Sequence, residues 1–317
     1  KEWRSMITAV ICFLLVIVLN FLLPRMLPGN PLAYLTGMSE EGLTSVQEEY
    51  YTHALHLDES TAKQFIYYLK SLFDGTLGYS FRKDAVVSSL ISGRIAATLQ
   101  ITLPSVLLSS LLALVLGLRA GFSPRSRLDG VLTPFMIVIN AIPSFLLALT
   151  FVLVFGFRLR ILPYSGLSSP GGFSLSDRLI HLILPVLTLV IAMAPGRYLL
   201  VRNMVKEQSR EKYVLYARQR GLKDSVIRYV YILRNISGPF LMSFGMSMGV
   251  AVSGSVVIEN IYSINGMGKL LTEAVYSLDY PLIQGILFIT TAIMALSIII
   301  SNLAALLADP KRRLQHE

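Results

Sequence analysis

Residues 211–239 read EKYVLYARQRGLKDSVIRYVYILRNISGP, and long apolar runs flank this basic stretch on both sides. The pattern predicts a helix over 207–221, a stop at Gly221 and a second helix over 223–234. A basic amphipathic helix commonly lies on lipid headgroups, and that placement alone explains the charge. It does not explain why two small residues, Ala217 and Gly221, stand at a helix end. These residues indicate a surface shaped to enter a groove on another protein.

Composition indicates the class of protein. Of the 317 residues, 54% are hydrophobic and 15% are charged, whereas about a quarter of the residues in a soluble domain are charged. The deficit predicts a membrane protein. The net charge of +9 lies mainly in pieces between apolar runs. This pattern favours an anionic cytoplasmic leaflet over nucleic acid as the partner of the basic residues.

The cysteine and histidine content of the sequence argues against disulfide bonds and metal sites within the chain. Cys12 is the single cysteine, so a disulfide within the chain and a cysteine-based metal site are excluded. His53 and His56 are three residues apart, but no carboxylate or thiol completes a recognisable ligand set around them. We therefore predict no metal site.

Six runs are long and apolar enough to cross a membrane, which takes about 20 residues in a helix. They cover residues 6–23, 99–118, 131–157, 181–201, 239–258 and 282–307. We predict an all-α membrane protein with six transmembrane helices. Proline inside the third and fourth runs predicts bends. The glycines of the fifth run predict close helix packing or the lining of a pathway.

Arginine and lysine predict the orientation. With the N-terminus inside, the cytoplasmic pieces carry 17 basic residues and the far longer outer pieces carry 10. The positive-inside rule therefore favours an N-in, C-in topology. The first run is not followed by a small-residue cleavage signal, so we predict a retained anchor rather than a signal peptide.

The domain prediction follows from these spans. It comprises a tail with the first helix (1–23), a small extracytoplasmic lobe (24–98), a five-helix transport domain (99–307) and a cytoplasmic tail (308–317). The transport domain contains a cytoplasmic loop at 202–238, called the basic loop below, and an outer loop at 259–281.

The lobe contains two predicted short helices, TSVQEEYYTHALHLD (44–58) and STAKQFIYYLKSLF (60–73). Ser60 is the predicted N-cap of the second helix. Apolar residues at helical spacing on that helix are predicted to be local core: Phe65, Ile66, Leu69, Leu72 and Phe73. The next residues, DGTLGYSF (74–81), predict a turn and a short extended piece.

Several motifs occur in a fixed order along the chain. They are RMLPGNP (25–31), LHLDESTAKQFIYYLKSLFDGTLGYSF (55–81), AIPSF (141–145), YVLYARQRGL (213–222) with LRNISGP (233–239), SVVIENIYSINGMGKLLTEAVYSLDYPLIQG (255–285) and LLADPKRR (306–313). With this set the chain resembles the permease subunit of bacterial binding-protein-dependent ATP-binding-cassette (ABC) importers. The branch that it resembles is the dipeptide, oligopeptide and nickel group.

The resemblance extends to the coupling motif of that family, whose pattern is Glu-Ala-Ala, three residues, then Gly. Here Leu215 and Tyr216 replace the Glu and the first Ala, while Ala217 and Gly221 remain. The peptide and nickel branch commonly departs from the pattern in this way.

The resemblance implies a type I ABC importer permease fold and a set of partners. These are a second homologous permease subunit, commonly in a heterodimer, two ATPase subunits that bind ATP and Mg²⁺, and an extracytoplasmic solute-binding protein. This chain then needs no cofactor and no catalytic residue of its own. Each ATPase receives a coupling helix, here within 207–222, in a surface groove. The residues predicted to couple to the ATPase are Tyr213, Ala217, Arg218, Gly221 and Leu222.

Four residues are candidates for the translocation pathway: Ser144, Ser253, Gly254 and Glu259. Glu259 stands at the outer end of the fifth run, where an ionisable group is either an interfacial charge or a site for a cationic solute. SINGMGKLL (263–271) superficially suggests phosphate binding through Gly266, Gly268 and Lys269. Its spacing differs from that of a phosphate-binding loop, so we predict a structural turn.

The predicted function is import of di- or oligopeptides across the bacterial cytoplasmic membrane, driven by partner ATPases. Nickel or a metal–chelator complex is the alternative cargo for the same machinery. A stand-alone secondary transporter is the alternative of a different class, but the two halves show no convincing repeat. An anchoring protein without transport activity would need no ordered coupling loop.

Overall fold

The apolar runs form long helices in the computed structural model of the protein, which describes residues 2–26, 32, 44–54, 56–172 and 174–308. The helices are α1 Glu2–Met26, α2 Ser45–Ala54, α3 Thr61–Phe73, α4 Val87–Phe122, α5 Arg127–Asn140, α6 Ser144–Phe151, α7 Leu175–Gln208, α8 Lys212–Gln219, α9 Asp224–Val226, α10 Leu233–Ile261, α11 Met267–Tyr276 and α12 Tyr280–Ala308. A π-helical segment, Val152–Arg158, continues α6, and another, Ile227–Ile232, joins α9 to α10. A two-stranded antiparallel hairpin, β1 Tyr79–Ser80 and β2 Ala85–Val86, precedes α4.

The described helices do not by themselves confirm the six predicted membrane spans. Within the described residues, four helical stretches are long and apolar enough to cross a membrane, and a bent pair makes a fifth. The four are Val87–Phe122, Leu175–Gln208, Asp224–Ser253 and Tyr280–Ala308. Helix α1 has 25 residues, but its apolar helical stretch, Val10–Leu22, is shorter than these. The chain is therefore a mostly helical, multi-pass protein, and the count of six is not confirmed.

The third predicted span is a broken helix. Helices α5 and α6 are bent by 95° at residues 141–143, where Pro143 takes the N-cap position of α6. Proline lacks an amide hydrogen and restricts the residue before it, so helices end readily at such a point. By contrast, α7 runs unbroken through Pro185 and Pro195.

Glycines allow two pairs of long helices to approach closely. A β-carbon added at Gly117 of α4 would meet Val201 of α7 at 2.8 Å. One added at Gly249 of α10 would meet the Met294 β-carbon of α12 at 2.8 Å, and Gly245 faces Ser301 in the same way. Such small residues let helix backbones pack tightly in a membrane. The packing role predicted for the fifth span's glycines is confirmed at these two positions.

The lobe follows the predicted helices but not the predicted core. Ser60 occupies the N-cap of α3 without a side-chain capping bond. Ile66 is 62% exposed and Phe73 is 87% exposed, so the prediction that they form local core is wrong. Helical spacing places these residues near one face, but nothing in the described chain covers that part of the face.

The lobe also contains the turn predicted before the hairpin and contacts of both its histidines. Positive φ values at Gly75, Leu77 and Gly78 form the predicted turn before β1. His53 pairs with Asp58 at 2.9 Å, and the His56 ring stacks on Tyr67. In the part of the chain that the structure describes, no three potential ligands gather into a metal site. Motif residues 27–31 and the tail beyond Ala308 lie outside the described residues.

Candidate functional site

The basic loop presents a short helix, α8, on a hydrophobic base. Val214 and Ala217 of α8 are buried, at 1% and 5% exposure. They pack in a cluster with Leu118 and Phe122 from α4 and with residues of α7 and α10. Helix α8 has only two turns, and short isolated helices are marginal in water. Its stability therefore comes from this base rather than from its own hydrogen bonds.

Gly221 ends α8 in a Schellman motif. The amide of Leu222 donates to the Ala217 carbonyl at 3.2 Å, and the amide of Gly221 donates to the Arg218 carbonyl at 2.9 Å. Gly221 has a φ of +74°, a conformation that glycine adopts without strain. Leu222 then packs back onto the hydrophobic base. The stop predicted at Gly221 is confirmed, and the turn has a defined geometry.

The outward face of α8 carries large side chains. Leu215 and Tyr216 are 56% and 58% exposed. Arg218 is also exposed; its guanidinium lies 5.1 Å from the centre of the Phe122 ring, and its Nε lies 3.5 Å from Asp224 Oδ1. These contacts hold Arg218 against the loop without burying it. The face therefore combines apolar, aromatic and cationic groups.

The five predicted coupling residues therefore divide into two groups. Tyr213, Ala217 and Leu222 face the hydrophobic base of this chain, and Gly221 shapes the turn. Only Arg218 has a fully outward side chain. Ala217, predicted to lie close to a partner, faces inward instead. The exposed Leu215 and Tyr216 are departures from the coupling pattern and are not among the predicted residues.

Tyr213 is fixed by polar as well as apolar contacts. Its hydroxyl donates to Gln208 Oε1 at 2.9 Å, which ties α8 to the end of α7. Partial burial raises the pKa of Tyr213, and the neighbouring Asn235 side chain opposes that shift. The phenol therefore stays neutral at physiological pH and acts as a hydrogen-bond donor.

An ion pair secures the end of α7 that leads into the basic loop. Arg202 Nε lies 2.5 Å from Asp129 Oδ1, and Arg202 Nη2 lies 2.8 Å from Asp129 Oδ2. Asp129 is 4% exposed and also accepts bonds from the Thr133 hydroxyl and the Arg125 amide. Two parallel bonds between a guanidinium and a carboxylate are strong and directional. They fix α5 to α7 near the start of the basic loop.

The candidate pathway residues do not form one polar cluster. Ser144 is half-buried and begins α6 beyond the 95° break. Ser253 is exposed on α10 and lines a cavity of about 120 Å³ with residues of α11 and α12. Gly254 lies in α10, and its surroundings are not described. The structure leaves the pathway assignment of these residues as a prediction.

Glu259 lies in a buried polar network. It has 0% exposure, and its carboxylate accepts bonds from Thr98 Oγ1 at 2.7 Å, Ser255 Oγ at 2.9 Å and the Lys269 amide at 3.0 Å. The network joins α4, α10 and the first turn of α11. SINGMGKLL is thus the turn that leads into α11, as predicted, and its amide groups bind a carboxylate of the same chain.

Comparison with known proteins places the chain in a family. Residues 113–314 match the family described as binding-protein-dependent transport system inner membrane component. The chain belongs to this family. Together with the peptide permeases described next, this match confirms the resemblance to the permease subunit of ABC importers of the peptide branch and a location in the inner membrane.

Individual relatives are similar along nearly the whole chain. A putative peptide permease protein of Brucella suis is 30% identical over 93% of this chain and 92% of its own length. The oligopeptide transport system permease protein AppB of Bacillus subtilis is 27% identical, over 93% of each chain. The dipeptide transport system permease protein DppB of Lactococcus lactis is 27% identical, over 95% of this chain and 94% of its own.

Arg197 is a feature of this permease that sequence reasoning missed. It lies within α7 at 7% exposure, and it donates to the Val106 carbonyl at 3.0 Å, Ser110 Oγ at 2.8 Å, Ser247 Oγ at 3.1 Å and Ser109 Oγ. None of the ion pairs between described residues includes it. A charge inside the apolar run 181–201 was the available signal, because ionisable residues are rare in spans. Arg197 ties α4, α7 and α10 together.

Proposed function

We propose that the chain is the transmembrane permease subunit of an ATP-driven ABC importer that translocates di- or oligopeptides across the cytoplasmic membrane. Peptide cargo is supported by the relatives, several of which are named as peptide, oligopeptide or dipeptide permeases. The observation that carries the proposal is α8, a short helix on a hydrophobic base with Leu215, Tyr216 and Arg218 directed outward.

The proposed topology has six spans with both termini in the cytoplasm. Helix α1 supplies the first span, and the bent pair of α5 and α6 supplies the third. The basic loop then faces the cytoplasm, where the positive-inside rule places its arginines and lysines. The lobe and α11 face outward.

The proposed partners divide the work of transport. Two ATPase subunits bind ATP and Mg²⁺ and hydrolyse the nucleotide, and each receives a coupling helix. A second homologous permease completes the pathway, and an extracytoplasmic solute-binding protein delivers the peptide. Closure of the ATPases draws the coupling helices together and switches the pathway from inward-facing to outward-facing by a rigid-body motion.

The residues of α8 have separate roles in this proposal. Leu215, Tyr216 and Arg218 contact the ATPase groove, since aromatic and arginine side chains dominate binding energy at interfaces. Tyr213, Ala217 and Leu222 hold α8 on the permease core, and Gly221 sets the direction of the chain beyond it. A force applied to the outward face is then transmitted to α4, α7 and α10 through the hydrophobic base.

The test is co-purification followed by a hydrolysis assay. The tagged chain is expressed with its genomic neighbours, and ATP hydrolysis by the purified complex is measured with the solute-binding protein, with and without peptides. We expect a complex with a second permease and two ATPases, whose hydrolysis rises with peptide-loaded binding protein. If ATP hydrolysis rises with nickel or a metal chelate but not with peptides, nickel or the chelate replaces peptides as the proposed cargo. A stable chain that transports alone, without ATP, would refute the proposal in favour of a secondary transporter.

A further inference from the structure

Helix α11 is held at its first turn by a buried carboxylate. Glu259, on the last turn of α10, accepts the Lys269 amide at 3.0 Å. Thr98 of α4 bridges the two elements, since its hydroxyl accepts the Met267 amide at 2.8 Å and donates to Glu259. The first amides of a helix lack partners within the helix and attract negative charge. Glu259 and Thr98 together accept hydrogen bonds from the free amides at this end of α11.

Two glycines make this contact possible. A β-carbon at Gly266 would lie 2.5 Å from the Glu259 carboxyl carbon and 2.6 Å from Thr98 Oγ1. A β-carbon at Gly268 would lie 2.5 Å from the Val256 α-carbon. The atoms that these added carbons would meet belong to two buried side chains, Glu259 and Thr98, and to the backbone of Val256. The turn before α11 is therefore built to bring its amides onto Glu259.

A second buried carboxylate, that of Asp279, lies just beyond the other end of α11. Asp279 is 1% exposed, and its amide donates to the Ala274 carbonyl near the end of the helix at 2.9 Å. Its carboxylate accepts Ser80 Oγ from β1 at 2.5 Å and the Leu282 amide from α12 at 3.3 Å. The Asp279 side chain thus joins the lobe hairpin to the start of α12, and its backbone amide joins the end of α11.

The lobe contacts α11 along its length as well. Lys83 of the hairpin turn pairs with Glu273 of α11 at 3.0 Å. The buried side of α11, formed by Met267, Leu270 and Ala274, packs in one cluster with lobe and span residues. Those residues include Leu77 next to the hairpin and Val87 and Ile91 of α4. Polar and apolar contacts therefore join the hairpin to α11, and we expect the two to move together.

We propose that Glu259 and Asp279 are positioning residues that latch α11 between the lobe and the spans, so that a protein docking on the lobe shifts α11 and opens the outer end of the pathway. This inference rests on the proposed function for the sidedness of α11 and for the docking partner. Neither carboxylate forms an ion pair with a described residue. Undocking α11 would take the Lys269 amide away from the buried Glu259 carboxylate and leave that carboxylate under-satisfied. The Asp279 carboxylate acts on the neighbouring elements, because it fixes the hairpin to the start of α12. Such a contact favours two discrete positions over gradual displacement.

The latch is measured directly by cysteine labelling, because Cys12 is the single native cysteine. In a Cys12→Ser background, Ala274→Cys places a thiol on the buried side of α11, where the exposure is 0%. Val275→Cys, beside it at 50% exposure, is the matched control. The labelling rate with a membrane-impermeant maleimide reports how often α11 leaves its site. We expect Glu259→Gln and Asp279→Ala to raise labelling of the buried thiol about tenfold or more, because each loses bonds to a charged acceptor.

The controls separate latching from general damage. Labelling of the exposed thiol introduced by Val275→Cys should stay the same in every variant. Glu273→Gln should change labelling of the buried thiol less than about twofold, because exposed ion pairs contribute little. Where Glu259→Gln fails to accumulate, Thr98→Val removes the bridging hydroxyl and keeps the side-chain shape. Unchanged labelling of the buried thiol in these variants would overturn the inference.

Function is tested in the assembled complex with peptide-loaded binding protein. Glu259→Gln should lower both the stimulation of ATP hydrolysis by peptide-loaded binding protein and the uptake of peptide about tenfold. If labelling responds and no ATPase complex forms, the latch stands and the proposed function fails. If the complex is active but neither labelling of the buried thiol nor stimulated hydrolysis responds to Glu259→Gln, the latch fails and the proposed function stands.

Discussion

Replacing Asp129 should lower the free energy of unfolding of the permease substantially, although Asp129 lies in α5 and outside the predicted coupling residues. Its carboxylate forms two bonds with Arg202, at 2.5 and 2.8 Å, and the side chains of Asp129 and Arg202 are 5% and 15% exposed. Asp129→Asn keeps the volume but leaves the guanidinium beside a neutral amide in a nearly dry site. Breaking one side of a buried pair costs about 3 to 5 kcal/mol. We expect about 3 kcal/mol here, because Arg202 keeps some contact with solvent and with Asn203.

The assay is equilibrium unfolding of the purified chain in mixed detergent micelles, run as a double-mutant cycle. Asp129→Asn and Arg202→Gln should each cost about 3 kcal/mol, and the double variant should cost about 2 to 3 kcal/mol less than their sum. Asp224→Asn is the matched control, because its contact with Arg218 is 3.5 Å long and exposed; it should cost under about 1 kcal/mol. Additive costs in the cycle, or equal costs for Asp129→Asn and Asp224→Asn, would refute the reasoning.

Three further predictions concern the helix packing and the basic loop. Gly221→Val should destabilise the turn after α8 by about 1 to 2 kcal/mol, since a β-branched residue is strained at a φ of +74°. Thermal unfolding of both variants should show that Gly221→Asn costs less. Gly221→Glu should uncouple ATP hydrolysis from transport while the chain still inserts into the membrane. Tyr216→Ala should weaken ATPase binding about thirtyfold in a pull-down titration, the loss expected for an interface hot spot of about 2 kcal/mol, while Tyr231→Ala, 39% exposed in the same loop, should leave binding unchanged. Gly245→Val should lower the thermal unfolding temperature because its side chain enters the space of Ser301, whereas Gly130→Ala, with no atom within 4 Å of the added carbon, should not.

Sequence patterns sufficed where a local rule determines the structure. The stop at Gly221 was predictable because a helix end often requires a left-handed residue, and glycine meets that need without strain. The long apolar helices were predictable because crossing a membrane imposes length and hydrophobicity. The family could be recognised from ordered motifs, although no single one of them is specific.

Tertiary contacts decided what the sequence patterns left open. Pro143 signals a break, but the 95° angle depends on what α5 and α6 each pack against. Asp129 and Arg202 are 73 residues apart, and Thr98 and Glu259 are 161 apart. Periodicity within one helix carries no information about such pairs. The predicted interior of the lobe failed for a related reason: helical spacing shows which residues share a face but not whether another element covers it.

Helix α4 contacts both short helices, α8 near its end and α11 near its start. Helix α8 rests on Leu118 and Phe122 near the end of α4, while α11 contacts Val87, Ile91 and Thr98 near its start. At 1.5 Å per residue, the 24 residues from Thr98 to Phe122 span about 36 Å. Gly117 and Gly121 seat α4 against α7 so closely that an added β-carbon would clash, which opposes sliding between these helices. A displacement of α8 should therefore tilt α4 and α7 as one body and carry the site of α11 with it, rather than travel through successive side-chain rearrangements.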